Sequence, residues 1–277
     1  KGHRYINADY DMAELKSLGQ IQLSWFGSSA PAEALCQGRD VHLDLAAQVM
    51  RISYEDAVRR FAEEDPEGDM ATSPVTHHRQ QMKPANFGYP GGMSAKGFVG
   101  FAKGYGIIIS EERGLALRDA WFARWSEMRE YFNYVGEQTG DLGSGIVTQF
   151  WSGRVRGDVN FRQAANGYFQ GLTADGAKRA HWEITRRCYT VPTSALYGCR
   201  PVAFMHDEML TEAPVERDAE AAEEQAQVMR ERMQELIPDI PITAGPRIFA
   251  RWYKGAKSVR DGGGRLIPWV PKAKVAK

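Results

Sequence analysis

Cysteine is scarce in this chain. Its three copies, Cys36, Cys188 and Cys199, show no CxxC spacing. So sparse and odd a set excludes a disulfide framework or a structural zinc site as the organising device. It fits a reducing, cytoplasmic compartment. No apolar run approaches the roughly 20 residues a membrane-spanning helix needs, and no signal-peptide pattern precedes the first motif. Neither sign of charge dominates: 35 Lys and Arg balance 35 Asp and Glu, which argues against a protein that coats nucleic acid indiscriminately. Internal repeats and low-complexity tracts are lacking too. The first residue is Lys, so the chain is expected to begin inside a longer protein or a processed form.

With 277 residues, 43% hydrophobic and 25% charged, the chain can bury a sizeable core as one large domain or two smaller ones. The overall neutrality hides a local imbalance. Glu208–Asp239 carries ten acidic residues against three Arg, and Arg247–Lys277 carries nine basic residues against one Asp. Residues 4–9 read as a short strand ending on an acidic residue. Met12, Leu15, Leu18 and Ile21 then recur at three-residue steps, a helical spacing. Further helices are expected over 40–63, 77–87, 111–135 and 163–188. Ala222, Ala226, Met229, Met233 and Leu236 mark one face of a helix over 215–237. The segment 61–74 reads as a loop insertion, 88–94 as a glycine-rich turn and 139–145 as a break. Two short strands flank a turn near 194–213. This is an α+β layout in which residues 38–135 could be a helical insertion into a smaller sheet domain.

Four constellations carry possible chemistry. Asp9 closes the first strand, and Glu14 follows on the next helix. Arg79, Lys83 and Phe87 lie at steps of four on one helical face; two cations and a ring suit a ligand with phosphates at one end and a flat group at the other. Arg162, Asn166 and Gln170 repeat that spacing with hydrogen-bonding side chains that suit base edges or sugars. Residues 205–210, MHDEML, place His206, Asp207 and Glu208 side by side within an apolar frame. Three of the four have a plain alternative: a solvated helix face for the two stripes, a turn whose carboxylates face water for the last.

Taken in order, NADYDMAELK (7–16), RQQMKPANFGYPGG (79–92), RQAANGYFQGLTAD (162–175) and MHDE (205–208) resemble motif A, motif B, the palm-helix motif and motif C of family A DNA polymerases. That group includes bacterial DNA polymerase I and many phage replicative enzymes. DVH (40–42) and TQFWSGRVR (148–156) echo smaller family elements, and a fainter likeness reaches WYKG (252–255). The resemblance implies the polymerase right-hand fold: an antiparallel-sheet palm with inserted helical fingers, the thumb being absent from this chain. Palm would occupy 1–37 and 136–277, with fingers over 38–135.

The resemblance also implies a template-directed DNA polymerase using two Mg2+ ions, with Mn2+ as a possible substitute. Asp9, Asp207 and the Tyr10 carbonyl would hold the metals, with Glu208 beside them. Arg79 and Lys83 would grip the triphosphate, His42 would assist, and Lys83 would protonate the leaving pyrophosphate. Phe87 would pack on sugar and base, and Glu14 would exclude a 2′-hydroxyl. Arg162, Asn166 and Gln170 would line the minor groove, and His206 would contact the primer terminus. The implied partners are primer–template DNA, deoxynucleoside triphosphates, and an upstream thumb or exonuclease segment, on this or another chain.

Some positions depart from the family pattern. Gly91 stands where the family has a Tyr, so the ring on the template side is expected to be missing or supplied by Tyr89. Pro84 is expected to kink its helix. The insertion at 61–74 lengthens the interval between His42 and Arg79. Two rival readings are a single-subunit RNA polymerase, which Glu14 speaks against, and a non-catalytic DNA-binding replication module. Intact Asp9, Asp207, Arg79 and Lys83 argue against the module.

Overall fold

The computed structural model describes residues 2–64, 73–140 and 144–271. Along the chain run β1 (His3–Tyr10), α1 (Ala13–Phe26), α2 (Ala30–Cys36), α3 (Val41–Met50), α4 (Tyr54–Glu64) and α5 (Pro74–Gly88). A 3-10 turn (Tyr89–Gly91) leads to α6 (Ala95–Gly104), α7 (Glu111–Arg124) and α8 (Met128–Thr139). Then come β2 (Gly145–Thr148), β3 (Val155–Val159), α9 (Phe161–Thr190), β4 (Arg200–Met205), β5 (Glu208–Pro214), α10 (Asp218–Gln234), β6 (Ala244–Phe249), β7 (Val259–Arg260) and β8 (Leu266–Ile267). No described helix is long and apolar enough to cross a membrane.

The chain forms two compact units. One comprises Lys1–Ala13 with Leu172–Lys277, the other Glu14–Gly171. The boundaries of these units fall at 13/14 and 171/172. One reason is that Trp25 of α1 packs among Tyr131 and Tyr134 of α8 and Tyr168 of α9, with ring centroids 4.4–6.1 Å away.

The first unit is built on an antiparallel sheet in the order β4-β5-β1-β6. Its central strand β1 pairs with β5 from His3↔Pro214 to Asp9↔Glu208 and with β6 from Tyr5↔Phe249 to Tyr10↔Ala244. Ile6, Ala8 and Tyr10, alternate residues on one face of the strand, are buried. Helix α10 packs its Ala222, Ala226, Met229 and Met233 face inward, and the Tyr10 hydroxyl donates to the Met229 carbonyl at 2.8 Å. That bond ties the acidic end of β1 to the helix. Leu210, Phe249 and Ala256 form a further cluster with Tyr5 and Trp269.

The second unit is mainly helical. Asp40 caps α3 by accepting from the His42 and Leu43 amides at 2.9 and 3.1 Å, and Ser73 caps α5. These are the residue types an N-terminus needs to satisfy its orphan amides. The expected helix over 40–63 is two helices, because Arg51 takes a left-handed φ of 57° and ends α3. The expected helix over 111–135 is likewise two. Trp125 leaves helical geometry and donates its indole N–H to Asn86 Oδ1 at 3.0 Å. Helix α5 continues through Pro84 to Gly88. Of the expected insertion, residues 65–72 lie outside the described residues, as do 141–143 of the expected break. Leu43, Ala47, Ala57 and Val75 make one core cluster of this unit.

Candidate active site

The first unit assembles the carboxylates. Antiparallel pairing sets Asp9, near the end of β1, directly opposite Glu208, the first residue of β5. His206 and Asp207 form the two-residue turn between β4 and β5, with Met205 paired to Glu208. His206 sits at φ 56°, the left-handed value that two-residue hairpin turns demand and a side chain adopts only at some cost. Three carboxylates thus share one end of one sheet, although Asp9 and Asp207 are far apart in sequence. Gly245 on β6 faces Asp9 from the other side and adds no side chain there.

Burial pushes the Asp9 carboxyl up to about 6, and the nearby Asp207 charge adds to the rise. Arg247 opposes it from 3.8 Å. Glu208 accepts from Asn7 Nδ2 and from the Trp252 indole N–H, the latter at 3.0 Å. Glu208 is therefore held by protein donors, while burial and the Asp207 charge both disfavour the ionised form of Asp9. Among the described residues no set of three or more His, Cys, Asp or Glu is arranged to hold a metal ion. Two crowded carboxylates still match an open Mg2+ site that keeps waters and takes phosphate oxygens.

The second unit gathers cations around one half-buried carboxylate, Asp40. Arg79 donates from Nε to Asp40 Oδ2 at 2.6 Å, and its guanidinium lies 5.6 Å from the centroid of the Phe61 ring. Asp40 thus caps α3 with one oxygen and anchors α5 with the other. Burial pushes the Asp40 carboxyl up, but Arg79 and the Leu43 amide outweigh that and hold it below its usual range. His42 is buried, and burial lowers its pKa to about 4, with Arg79 and Lys83 adding to the fall and Asp40 opposing it. Its Nδ1 lies 3.1 Å from Asn86 Nδ2 and its ring 5.4 Å from that of Phe87. Burial also lowers the Lys83 pKa, helped by Arg79. His42, Arg79 and Lys83 therefore do cluster, with more positive charge than Asp40 can balance. Sequence reasoning missed Asp40 as the partner of Arg79; the N-cap position before an apolar helical run was the available signal.

In the same unit, Glu14, Phe87, Arg162, Asn166 and Gln170 line one cavity of about 300 Å3, with Phe101 of α6 and Tyr105 just beyond that helix on its wall. Gly91 belongs to the lining for a steric reason. A Cβ there would overlap the Asn166 side chain, whose amide donates to the Arg162 carbonyl at 2.8 Å and lies 3.4 Å from the Gly91 carbonyl. Tyr89 does not supply the missing ring. It is buried against Phe98 and Trp121, and its hydroxyl donates to the Gly114 carbonyl at 2.8 Å.

Comparison with known proteins identifies the family. Residues 1–254 match the sequence model of DNA polymerase family A. The chain is 25% identical over 255 residues to DNA polymerase I of Aquifex aeolicus, covering 92% of this chain and 40% of that protein. It is 27% identical over 262 residues to DNA polymerase I of Deinococcus radiodurans, covering 90% and 24%. The chain thus spans well under half the length of these relatives. Among solved structures, its fold is similar to the POL domain of Pol1 from M. smegmatis in complex with DNA primer-template and dNTP. That match has a TM-score of 0.66 at 22% identity, covering 91% of this chain and 40% of that one. With a match that runs over nearly the whole chain, this protein belongs to DNA polymerase family A.

Proposed function

We propose that this chain is the catalytic core of a template-directed DNA polymerase that adds deoxynucleotides to a primer 3′ end by two-metal nucleotidyl transfer. The observation that carries the reading is the meeting of Asp9 and Asp207 at one sheet end, where burial and mutual repulsion push the Asp9 carboxyl up to about 6. Crowded carboxylates of this kind are relieved by a divalent cation. Asp9, Asp207 and the Tyr10 carbonyl would hold two Mg2+ ions, or Mn2+ in their place. Bound there, the ions would neutralise charge on the transferring phosphoryl group and activate the primer hydroxyl.

The chain's own side chains would do the rest. Arg79 and Lys83 would bind the triphosphate by charge-assisted hydrogen bonds, which requires Arg79 to exchange Asp40 for phosphate oxygens. Lys83, its pKa lowered by burial, is the better placed to give a proton to the departing pyrophosphate. Neutral His42 would offer a hydrogen bond, Phe87 would pack on sugar and base, and Glu14 would close the space at the ribose C2′. Glu208 would stand beside the metals, with His206 at the primer terminus and Arg162, Asn166 and Gln170 along the minor groove. Residues 1–37 and 136–277 would then act as palm and 38–135 as fingers, completed by an upstream thumb segment.

Primer extension on a primed template with Mg2+ tests the reading. Asp9→Asn and Asp207→Asn should each abolish extension while primer–template binding persists. A variant that extends at near the wild-type rate would remove that residue from the metal site.

A further inference from the structure

The tip of the β2–β3 ribbon is apolar, exposed and rigidly mounted, and the role of the palm-helix stripe does not account for it. Phe150 and Trp151 form the turn with 48% and 47% of their surface exposed, and Ile146 and Val155 beside them are more exposed still. Bulky rings left in water cost free energy that a folded protein ordinarily avoids. The turn that carries them is nevertheless held in place. The Gln149 side-chain amide donates to the Gly167 carbonyl of α9 at 2.7 Å, and Arg154 Nη2 donates to the Gly171 carbonyl at 3.3 Å. A Cβ at Gly171 would overlap the Gln149 side chain, so the glycine is what lets the ribbon dock. Within the turn, the Gly153 amide donates to the Gln149 carbonyl at 2.8 Å and the Gln149 amide to the Arg154 carbonyl at 2.9 Å.

The charge around the tip has one sign on the side facing α9. A cleft of about 440 Å3 is lined by Arg156, Asn160, Arg162, Gln163, Asn166 and Gln170, with no carboxylate among its lining residues. Arg156 is opposite Val147 in the ribbon, and Val147 packs over Gly167, so Arg156 belongs to the face turned to the helix. Two exposed rings beside a cationic, amide-lined cleft match the needs of an unpaired nucleic-acid strand. Its bases stack on aromatic faces and its phosphates meet guanidinium groups. A folded protein partner would instead call for a broader apolar surface without a neighbouring cationic groove.

We propose that the β2–β3 ribbon is a single-strand-binding element, in which Phe150 and Trp151 stack on unpaired bases while Arg156 holds the adjoining phosphate. The proposal goes beyond the polymerase reading, because it concerns binding of single-stranded DNA with no nucleotide or metal present. The test is fluorescence anisotropy of a labelled oligo(dT) with the full chain, alongside a primer–template bearing a one-nucleotide overhang. Phe150→Ala with Trp151→Ala should weaken oligo(dT) binding about tenfold or more and leave the short-overhang duplex within about twofold. Trp151→Phe, which keeps a ring, should bind oligo(dT) nearly as the wild type does. Arg156→Gln should reduce the slope of log affinity against log salt by about one. Wild-type protein that binds no oligo(dT), or a double variant that binds it unchanged, overturns the proposal. Equal losses on both DNAs overturn it too, since they report a general disturbance. Failure of primer extension alone would strike the polymerase reading and leave this one standing.

Discussion

Glu14 lies in the first turn of α1 and shares its cavity with Phe87, which makes sugar selection the sharpest consequence at the scale of single residues. If the Glu14 side chain fills the space of a 2′-hydroxyl, Glu14→Ala should raise ribonucleotide use relative to deoxynucleotide use by about tenfold or more, with only a modest fall in the latter. Phe87→Tyr should relax discrimination against dideoxynucleotides, because it restores a ring hydroxyl near the 3′ position. Competitive incorporation measures both, and unchanged sugar ratios in Glu14→Ala would reopen the RNA polymerase reading. His42 leads to a stability prediction instead. Its native pKa of about 4 lies below the ordinary 6.5, so between those values the unfolded chain binds a proton that the native state refuses. Native stability should therefore fall as pH drops from 6.5 toward 4, by on the order of 3 kcal/mol from this group. Asp9 works in the opposite sense, its raised carboxyl adding stability as pH falls from about 6 toward 3.8. The difference between wild type and His42→Gln isolates the histidine. Denaturant unfolding of both at pH 7.5 and 4.5 should show the variant losing less, and parallel losses would contradict a buried neutral His42.

Between elements, the 3-10 turn at the end of α5 and the start of α9 fit together because position 91 has no side chain. Gly91→Tyr, which would supply the aromatic ring seen elsewhere in the family, should destabilise the protein by about 1–3 kcal/mol through overpacking. Adding Asn166→Ala should recover part of that loss, and thermal unfolding of the two single variants and the double would measure the coupling. Additive losses would mean that the two side chains do not compete for space. At this scale much was legible in the sequence: β1, α9, the β4–β5 turn and α10 all follow strong period-two or helical patterns. Both broken helices were read as continuous, because the helical period carries on across Arg51 and Trp125. What breaks the second is a bond from the Trp125 indole to Asn86, 39 positions away, and local periodicity has no access to such a contact. The β2–β3 ribbon and β6 escaped for a different reason, being too short for alternation to stand out. In the candidate site, the sequence pointed to residues that the fold brings together, but the groups that restrain them, Asp40, Asn7, Arg247 and Trp252, came only with the fold.

For the whole molecule, the two units differ in how the chain builds them. Glu14–Gly171 is continuous, whereas the other unit joins the first 13 residues to a segment that begins at Leu172. Closing a loop of that length costs entropy before any sheet contact repays it. Pulse-labelled hydrogen exchange during refolding should show amides of α3, α5 and α7 protected before those of β1 and β5. Simultaneous protection of both sets would show that the units fold as one. Synthesis on the ribosome sharpens the same asymmetry. Strand β1 is made well before β5 and β6, its partners on either side, which begin at Glu208 and Ala244. At about 5–20 residues per second, roughly 10–40 s pass before the first of them is made. Throughout that interval Ile6, Ala8 and Tyr10 have no sheet to enter, and the strand that will carry Asp9 is a natural client for a chaperone that shields nascent apolar segments.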